Sequence, residues 1–243
     1  MIVYGRNPVR EAIRGPREVL RVWATDNARR EPWLLRQPTT PASGVEIERR
    51  CGSPEHQGVC AEASAFRYAP ADELLSLPAP LVVALDQVQD PQNLGAICRT
   101  AECAGAAGLV VPERRAADVT AAVCKASAGA VEHLPVARVR NLAEFLGEAK
   151  RAGLWCYGGA ADGALRFDAV DFRGGVVLVL GSEGKGLRPR VAAACDALVS
   201  IPLRGKIESL SVSAAAAVLL YAVMTARNQD LTQNRSSVKL PPR

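Results

Sequence analysis

Hydrophobic and polar positions alternate differently in the two parts of the chain. Over residues 1–67 the apolar runs are short. Ile2–Tyr4, Val19–Ala24 and Val59–Ala63 read as strands, with 45–47 as a further strand candidate. An Asn7–Pro8 turn leads into a helix that carries Val9, Ala12 and Ile13. Together these predict a small α/β module. Residues 68–80 hold three prolines and read as a linker with room for one helical turn.

From residue 81 the pattern changes. Residues 81–85 form an unbroken apolar run, as expected of a strand buried on both faces. A helical pattern over 93–106 follows, then a strand at 108–111, a helix at 116–126 and a strand at 134–137. Helix 142–152 and strands 154–157, 176–180 and 198–201 come next, and a long helix over 211–227 closes the segment. Strands alternating with helices predict an α/β domain over 81–228, built on a parallel sheet with helices on both faces. Residues 229–243 are polar and read as a flexible tail.

Composition narrows the function classes. With 49% hydrophobic and 23% charged residues, disorder is not expected. Aromatics make up only 5%, which argues against a broad stacking platform for nucleic-acid bases. The net charge is +5, and residues 1–50 hold ten Arg, no Lys and six acidic residues. Arginine forks suit phosphate, so this segment fits RNA, although a GC-rich coding sequence would also favour Arg. Seven Cys lack any CxxC or metal spacing, so no metal site is expected and the thiols read as free and mostly buried. The N-terminus has no secretory pattern, and the longest nearly apolar stretch, 212–224, is shorter than the roughly 18 residues a bilayer span needs. A cytoplasmic protein is expected.

In parallel sheets ligands bind beyond the carboxyl ends of strands. Segments 86–99, 181–188 and 202–211 occupy those places and are rich in Gly, Asn, Glu, Arg and Ser. Gly181-Ser-Glu-Gly-Lys-Gly-Leu187 is a tight loop whose backbone could approach a ligand closely. It lacks Walker spacing, is not a G-x-S-x-G elbow, and the turn after the first strand carries no dinucleotide fingerprint. Asn93 falls at a helix start, with Arg99 and Glu102 spaced to pair along one face. His56 and His133 read as turn or interface residues, Cys98 and Cys103 as packing residues, and Gly129 as a helix end.

DPQNLGAICRTAECAGA, LVLGSEGKGL and SIPLRGKIESLSVSAAAAVLLY resemble, in order, the three motifs of the SpoU (TrmH-type) branch of the SPOUT methyltransferases. The match covers about residues 81–228. VYGRNPVREAI and HQGV resemble the small L30e-like substrate-binding domain of the family's ribosomal RNA members. The resemblance implies a trefoil-knotted methyltransferase domain, a homodimer and S-adenosylmethionine as cofactor. It also implies methylation of a ribose 2′-hydroxyl in structured RNA, with a guanosine of 23S ribosomal RNA favoured over transfer RNA. Asn93, Arg99, Glu183 and Ser209 match the family's active-site positions. Gly181, Ile201 and Leu210, with Leu180, Gly184, Leu203 and Ser211, fall to the cofactor cleft, and Arg6, Asn7, Arg10 and Arg99 to RNA.

An arginine keeps its proton, so Arg99 suits stabilisation of a developing alkoxide better than proton abstraction. One departure stands out. Family members read Ser-Leu-Asn-Val-Ser where this chain has Ser209-Leu210-Ser211-Val212-Ser213. A hydroxyl there replaces an amide's acceptor and two donors, while still capping a helix well. A catalytically impaired RNA-binding assembly factor is the alternative that this substitution raises.

Overall fold

The computed structural model describes residues 1–232. The N-terminal sheet has strands β1 (Ile2–Tyr4), β2 (Val19–Ala24), β3 (Thr40–Pro41) and β4 (Val59–Ala63) in the order β1-β4-β2-β3. Helices α1 (Arg6–Arg14) and α2 (Gly44–Cys51) complete this part. Period-2 alternation divides its two faces: Val3, Val22 and Ala61 join the main core, whereas Trp23 and Cys60 pack with Ile47 of α2. Residues 45–47, expected as a strand, are helical. Ser43 accepts from the Glu46 N–H while Glu46 reaches back to the Ser43 N–H, a reciprocal cap that a three-residue apolar pattern does not reveal.

Residues 68–80 carry a short helix, α3 (Ala71–Leu75), whose Leu74 is buried against the second sheet. That sheet comprises β5 (Leu81–Asp86), β6 (Gly108–Pro112), β7 (Val136–Val139), β8 (Trp155–Gly159), β9 (Leu165–Arg166), β10 (Val176–Gly181) and β11 (Ala197–Ser200). Its order is β7-β6-β5-β10-β8-β11-β9 and every pairing is parallel. Helices α4 (Pro91–Cys103), α5 (Ala121–Ala126), α6 (Leu142–Arg151), α7 (Pro189–Ala194) and α8 (Val212–Thr232) cover it.

Alternate residues of the central strands face opposite layers. Val83, Leu85, Leu178 and Leu180 pack with α4 and α8, and Val82, Ala84, Val177 and Val179 with α6 and α7. Such strands must be apolar on both faces, and each fully buried Leu contributes about 2 kcal/mol. α8 buries Val212, Ala216, Leu219, Leu220 and Val223, a helical stripe. It runs beyond the residue 227 expected for its end; of the tail expected at 229–243, residues 233–243 lie outside the described residues.

The two sheets are joined by polar contacts as well as apolar ones. Arg17 pairs with Glu132, Lys125 Nζ donates to the Glu55 carbonyl at 2.7 Å, and His133 Nε2 shares a hydrogen bond with Glu11 Oε2 at 3.0 Å. His56 instead serves its own turn, its Nδ1 accepting from the Gly58 N–H. Gly129 sits just past the end of α5 with φ +89°. All seven cysteines are free; Cys98 is buried as expected, but Cys103, expected to pack, is exposed on the last turn of α4.

Candidate active site

Strands β5 and β10 run in parallel register, with Val176 opposite Leu81 and Gly181 opposite Asp86. The segments that leave their carboxyl ends therefore start side by side, although they are almost a hundred residues apart in sequence. Asp86 is fully buried there. Its carboxylate accepts from the Arg188 backbone N–H at 2.8 Å and from Arg188 Nε at 2.7 Å. A buried carboxylate is tolerated only when so partnered, and this one closes the far end of the 182–188 loop onto β5. Neither residue was singled out in the sequence; a lone Asp ending an apolar run was the available signal.

Within the loop, Gly186 N–H donates to the Ser182 carbonyl at 2.9 Å. This folds the loop back over Gly181, where a Cβ would stand 2.1 Å from the Gly186 carbonyl carbon. Glycine is required at 181 by the chain's own backbone rather than by a ligand. The fold-back leaves Glu183 projecting at the start of α8. Its Oε1 accepts from Asn93 Nδ2 at 3.2 Å and from the Val212 N–H at 3.3 Å.

Asn93, although it stands in the first turn of α4, does not cap it. Asp90 does, its Oδ1 accepting from the Gln92 N–H at 3.0 Å, which leaves the Asn93 amide free to reach Glu183. Ser211 supplies the cap of α8: its Oγ accepts from the Ala214 N–H at 3.2 Å.

Around this junction lie two cavities. The larger, about 630 Å³, opens beyond the ends of β8, β10 and β11. Of the residues assigned to the cofactor cleft, Leu180, Gly181, Gly184, Ile201, Leu203, Leu210 and Ser211 all line it, with Ser209. Gly159 to Ala161, at the end of β8 and just beyond it, were missed, and only a glycine pair at 158–159 hinted at them. The smaller cavity, about 290 Å³, is lined by Asn93, Asp90 and Lys185 among others. Ser182, Glu183 and Val212 line both, so the two cavities abut.

Other expected residues stand apart. Arg99 is exposed on α4, lines neither cavity and makes no ion pair with Glu102 among the described residues. Arg6 pairs with Glu31 at 2.5 Å and Arg10 with Glu11 at 2.7 Å, while Asn7 is exposed. No cluster of three or more His, Cys, Asp or Glu suited to a metal occurs among the described residues, and no helix there is long and apolar enough to cross a membrane.

The larger cavity has the size of a small-molecule site, with apolar walls from Leu180, Ile201 and Leu219 and a few polar groups. The apolar walls suit the face of a flat heterocycle, and Glu183 and Glu208 add carboxylates on the lining that suit a positively charged group. S-adenosylmethionine has both, so the residues present fit it.

A family model described as the SpoU rRNA Methylase family matches residues 80–221, and one described as RNA 2′-O ribose methyltransferase substrate binding matches 2–69. The 23S rRNA (guanosine-2′-O-)-methyltransferase RlmB of Xanthomonas campestris pv. campestris is 42% identical over 207 residues, 83% of this chain and 82% of that protein. An uncharacterized tRNA/rRNA methyltransferase of Mycolicibacterium vanbaalenii is 39% identical over 241 residues, 93% of this chain and 76% of its own. Among solved structures, the SpoU methyltransferase AviRb of Streptomyces viridochromogenes, in complex with AdoMet, superposes with a TM-score of 0.77 at 27% identity. That match covers 96% of this chain and 91% of the other.

Proposed function

The chain belongs to the SpoU rRNA methylase family, and from that premise we propose that it methylates the ribose 2′-hydroxyl of a guanosine in 23S ribosomal RNA. Its fold is that of the SPOUT methyltransferases, and it is an S-adenosylmethionine-dependent RNA 2′-O-methyltransferase. The choice of 23S guanosine rests on the likeness to RlmB together with an N-terminal substrate-binding module of the same family. The observation that carries the chemistry is the abutment of two cavities at Ser182, Glu183 and Val212, one sized for the cofactor and one for an acceptor.

S-adenosylmethionine supplies the methyl group from its sulfonium. Leu180, Gly181, Gly184, Ile201, Leu203, Leu210 and Ser211, which line the larger cavity, would hold it there. Asn93 and the Val212 N–H fix one oxygen of Glu183, so the carboxylate keeps a single orientation at the junction. In our reading the other oxygen accepts the hydrogen bond of the ribose 2′-hydroxyl, orients its lone pair for in-line attack and takes up its proton as the methyl leaves the sulfonium. Ser209, on the exposed approach to the same cavity, assists in seating the acceptor.

Arg99 lines neither cavity, so its part as a fixed positive donor to the developing alkoxide requires RNA or a second copy to complete the site. The homodimer is proposed on that ground and on the apolar row Ala214, Val218 and Tyr221 along the exposed side of α8. Residues 1–67, through Arg6, Asn7 and Arg10, engage the RNA, and residues 81–228 carry the reaction. A ribosomal RNA substrate places this work in the cytoplasm. Ser211 performs the capping that the fold asks of its position, so the substitution leaves the start of α8 intact.

Tritiated methyl transfer to unmodified 23S ribosomal RNA and to tRNA transcripts, with mapping of the product nucleotide, tests this directly. A single 2′-O-methylguanosine in 23S RNA is expected. Label confined to tRNA, or no label in either, would overturn the substrate assignment.

A further inference from the structure

The smaller cavity contains a feature that the transfer step does not use. Gln87, the first residue after β5, has φ +61°, in the left-handed region where side chains other than Gly, Asn and Asp are unfavourable. Among the described residues five non-glycine positions have positive φ, and Gln87 is the one of them that lines either of the two cavities. Gln57, by contrast, uses its side chain locally, accepting from the Arg6 N–H at 2.9 Å.

Val88, between Gln87 and Gln89, is buried, and its carbonyl accepts from the Ala117 N–H at 2.9 Å. That anchor holds Gln87 and Gln89 at the cavity wall. Neither amide side chain has a hydrogen-bond partner among the described residues. Lys185, at the same cavity, has no carboxylate partner there either. Each carboxylate present already serves a local bond, Asp90 in capping α4 and Glu183, through one oxygen, with Asn93 and Val212.

We propose that Gln87 and Gln89 read the base of the nucleotide being methylated, with Lys185 meeting its phosphate. This rests on the methyltransferase reading above and adds how the acceptor is chosen. Each primary amide offers an acceptor and two donors, which matches the mixed edge of a purine such as guanine and of an unstacked base generally. A cavity of about 290 Å³ has the dimensions of a single nucleotide unit beside the methyl donor. The reading also explains why glutamine stands where glycine would relieve the backbone: the amide is kept for contact, not for the fold.

The test uses the full chain with Gln87→Gly, Gln89→Ala and Lys185→Ala. The Gln87→Gly protein should melt no lower than the parent and bind S-adenosylmethionine equally well. Its kcat/KM for the 23S transcript should fall about tenfold or more, with loss of discrimination when inosine or adenosine replaces the target guanosine. Gln89→Ala should lose discrimination in the same sense, and Lys185→Ala should raise KM with a shallower salt dependence and unchanged base choice. Retention of kcat/KM within twofold and of base choice in both glutamine variants would overturn the inference. If the parent labels tRNA instead, the 23S assignment falls and the same comparison on that RNA decides the role of the glutamines. If it labels neither, both fall together.

Discussion

Asn93 Nδ2 lies 3.2 Å from Glu183 Oε1, a hydrogen bond between residues ninety positions apart in sequence. The same oxygen also receives the N–H that opens α8, so one carboxylate ties the starts of two helices to the loop after β10. Glu183→Ala should therefore reduce the single-turnover rate by about 10²-fold or more and weaken cofactor binding. Asn93→Ala should cost less. Because the two act as one unit, the double variant should be little worse than Glu183→Ala alone, which a double-mutant cycle on methyl-transfer rates would reveal. Additive losses would separate the pair.

Gly181 and Gly184 lie three residues apart and should respond very differently. A Cβ at 181 collides with the backbone of Gly186 at 2.1 Å, whereas at 184 nothing lies within 4 Å and only φ +77° opposes it. Gly181→Ala is expected to displace the loop and abolish S-adenosylmethionine binding in calorimetry. Gly184→Ala should cost about 1 kcal/mol of stability and leave measurable binding.

Arg17 and Glu132 join the N-terminal sheet to the segment after α5, with side chains only 5% and 1% exposed. Arg17→Ala leaves the carboxylate buried without its cation, a loss of about 3–5 kcal/mol. Burial pushes the Glu132 carboxyl above the ordinary carboxylate range, against the pull of Arg17. A pKa raised in the folded state means that the native form binds the proton more tightly. That contribution to stability is present at low pH and is lost as pH rises through the folded value. Removing Arg17 strengthens the dependence. Melting temperatures of variant and parent should thus differ more at about pH 8 than at about pH 5; a gap independent of pH would contradict the account.

Thiol reactivity gives a separate check on packing. Burial pushes Cys60 and Cys124 up to about 11 and Cys98 and Cys156 up to about 12, so at neutral pH almost no thiolate forms and none is accessible. Cys103 is exposed. Brief treatment of the native protein with N-ethylmaleimide, read by peptide mass spectrometry, should label Cys103 first. The four buried cysteines should react only after denaturant is added.

Much of this molecule is written locally. Five-residue apolar runs, 81–85 and 176–180, announce β5 and β10, because a strand covered on both faces has no polar side to show. The three motifs, with Asn93, Glu183 and Ser209, were legible as a family pattern along the chain. Local signals failed where two periodicities fit a short segment, as at 45–47, where a reciprocal Ser43–Glu46 cap selected helix. The tertiary structure decided what no run of residues contains. Insertion of the late strand β10 between β5 and β8 sets Gly181 opposite Asp86. That register lets Asp86 clamp Arg188 and brings Asn93 to Glu183. It also separates Arg99 from both cavities, although it lies only six residues beyond Asn93 on the same helix. Sequence specifies which groups exist and which local shapes are cheap. Their meeting is fixed by parallel strand register, a non-local quantity set by burial across the whole sheet.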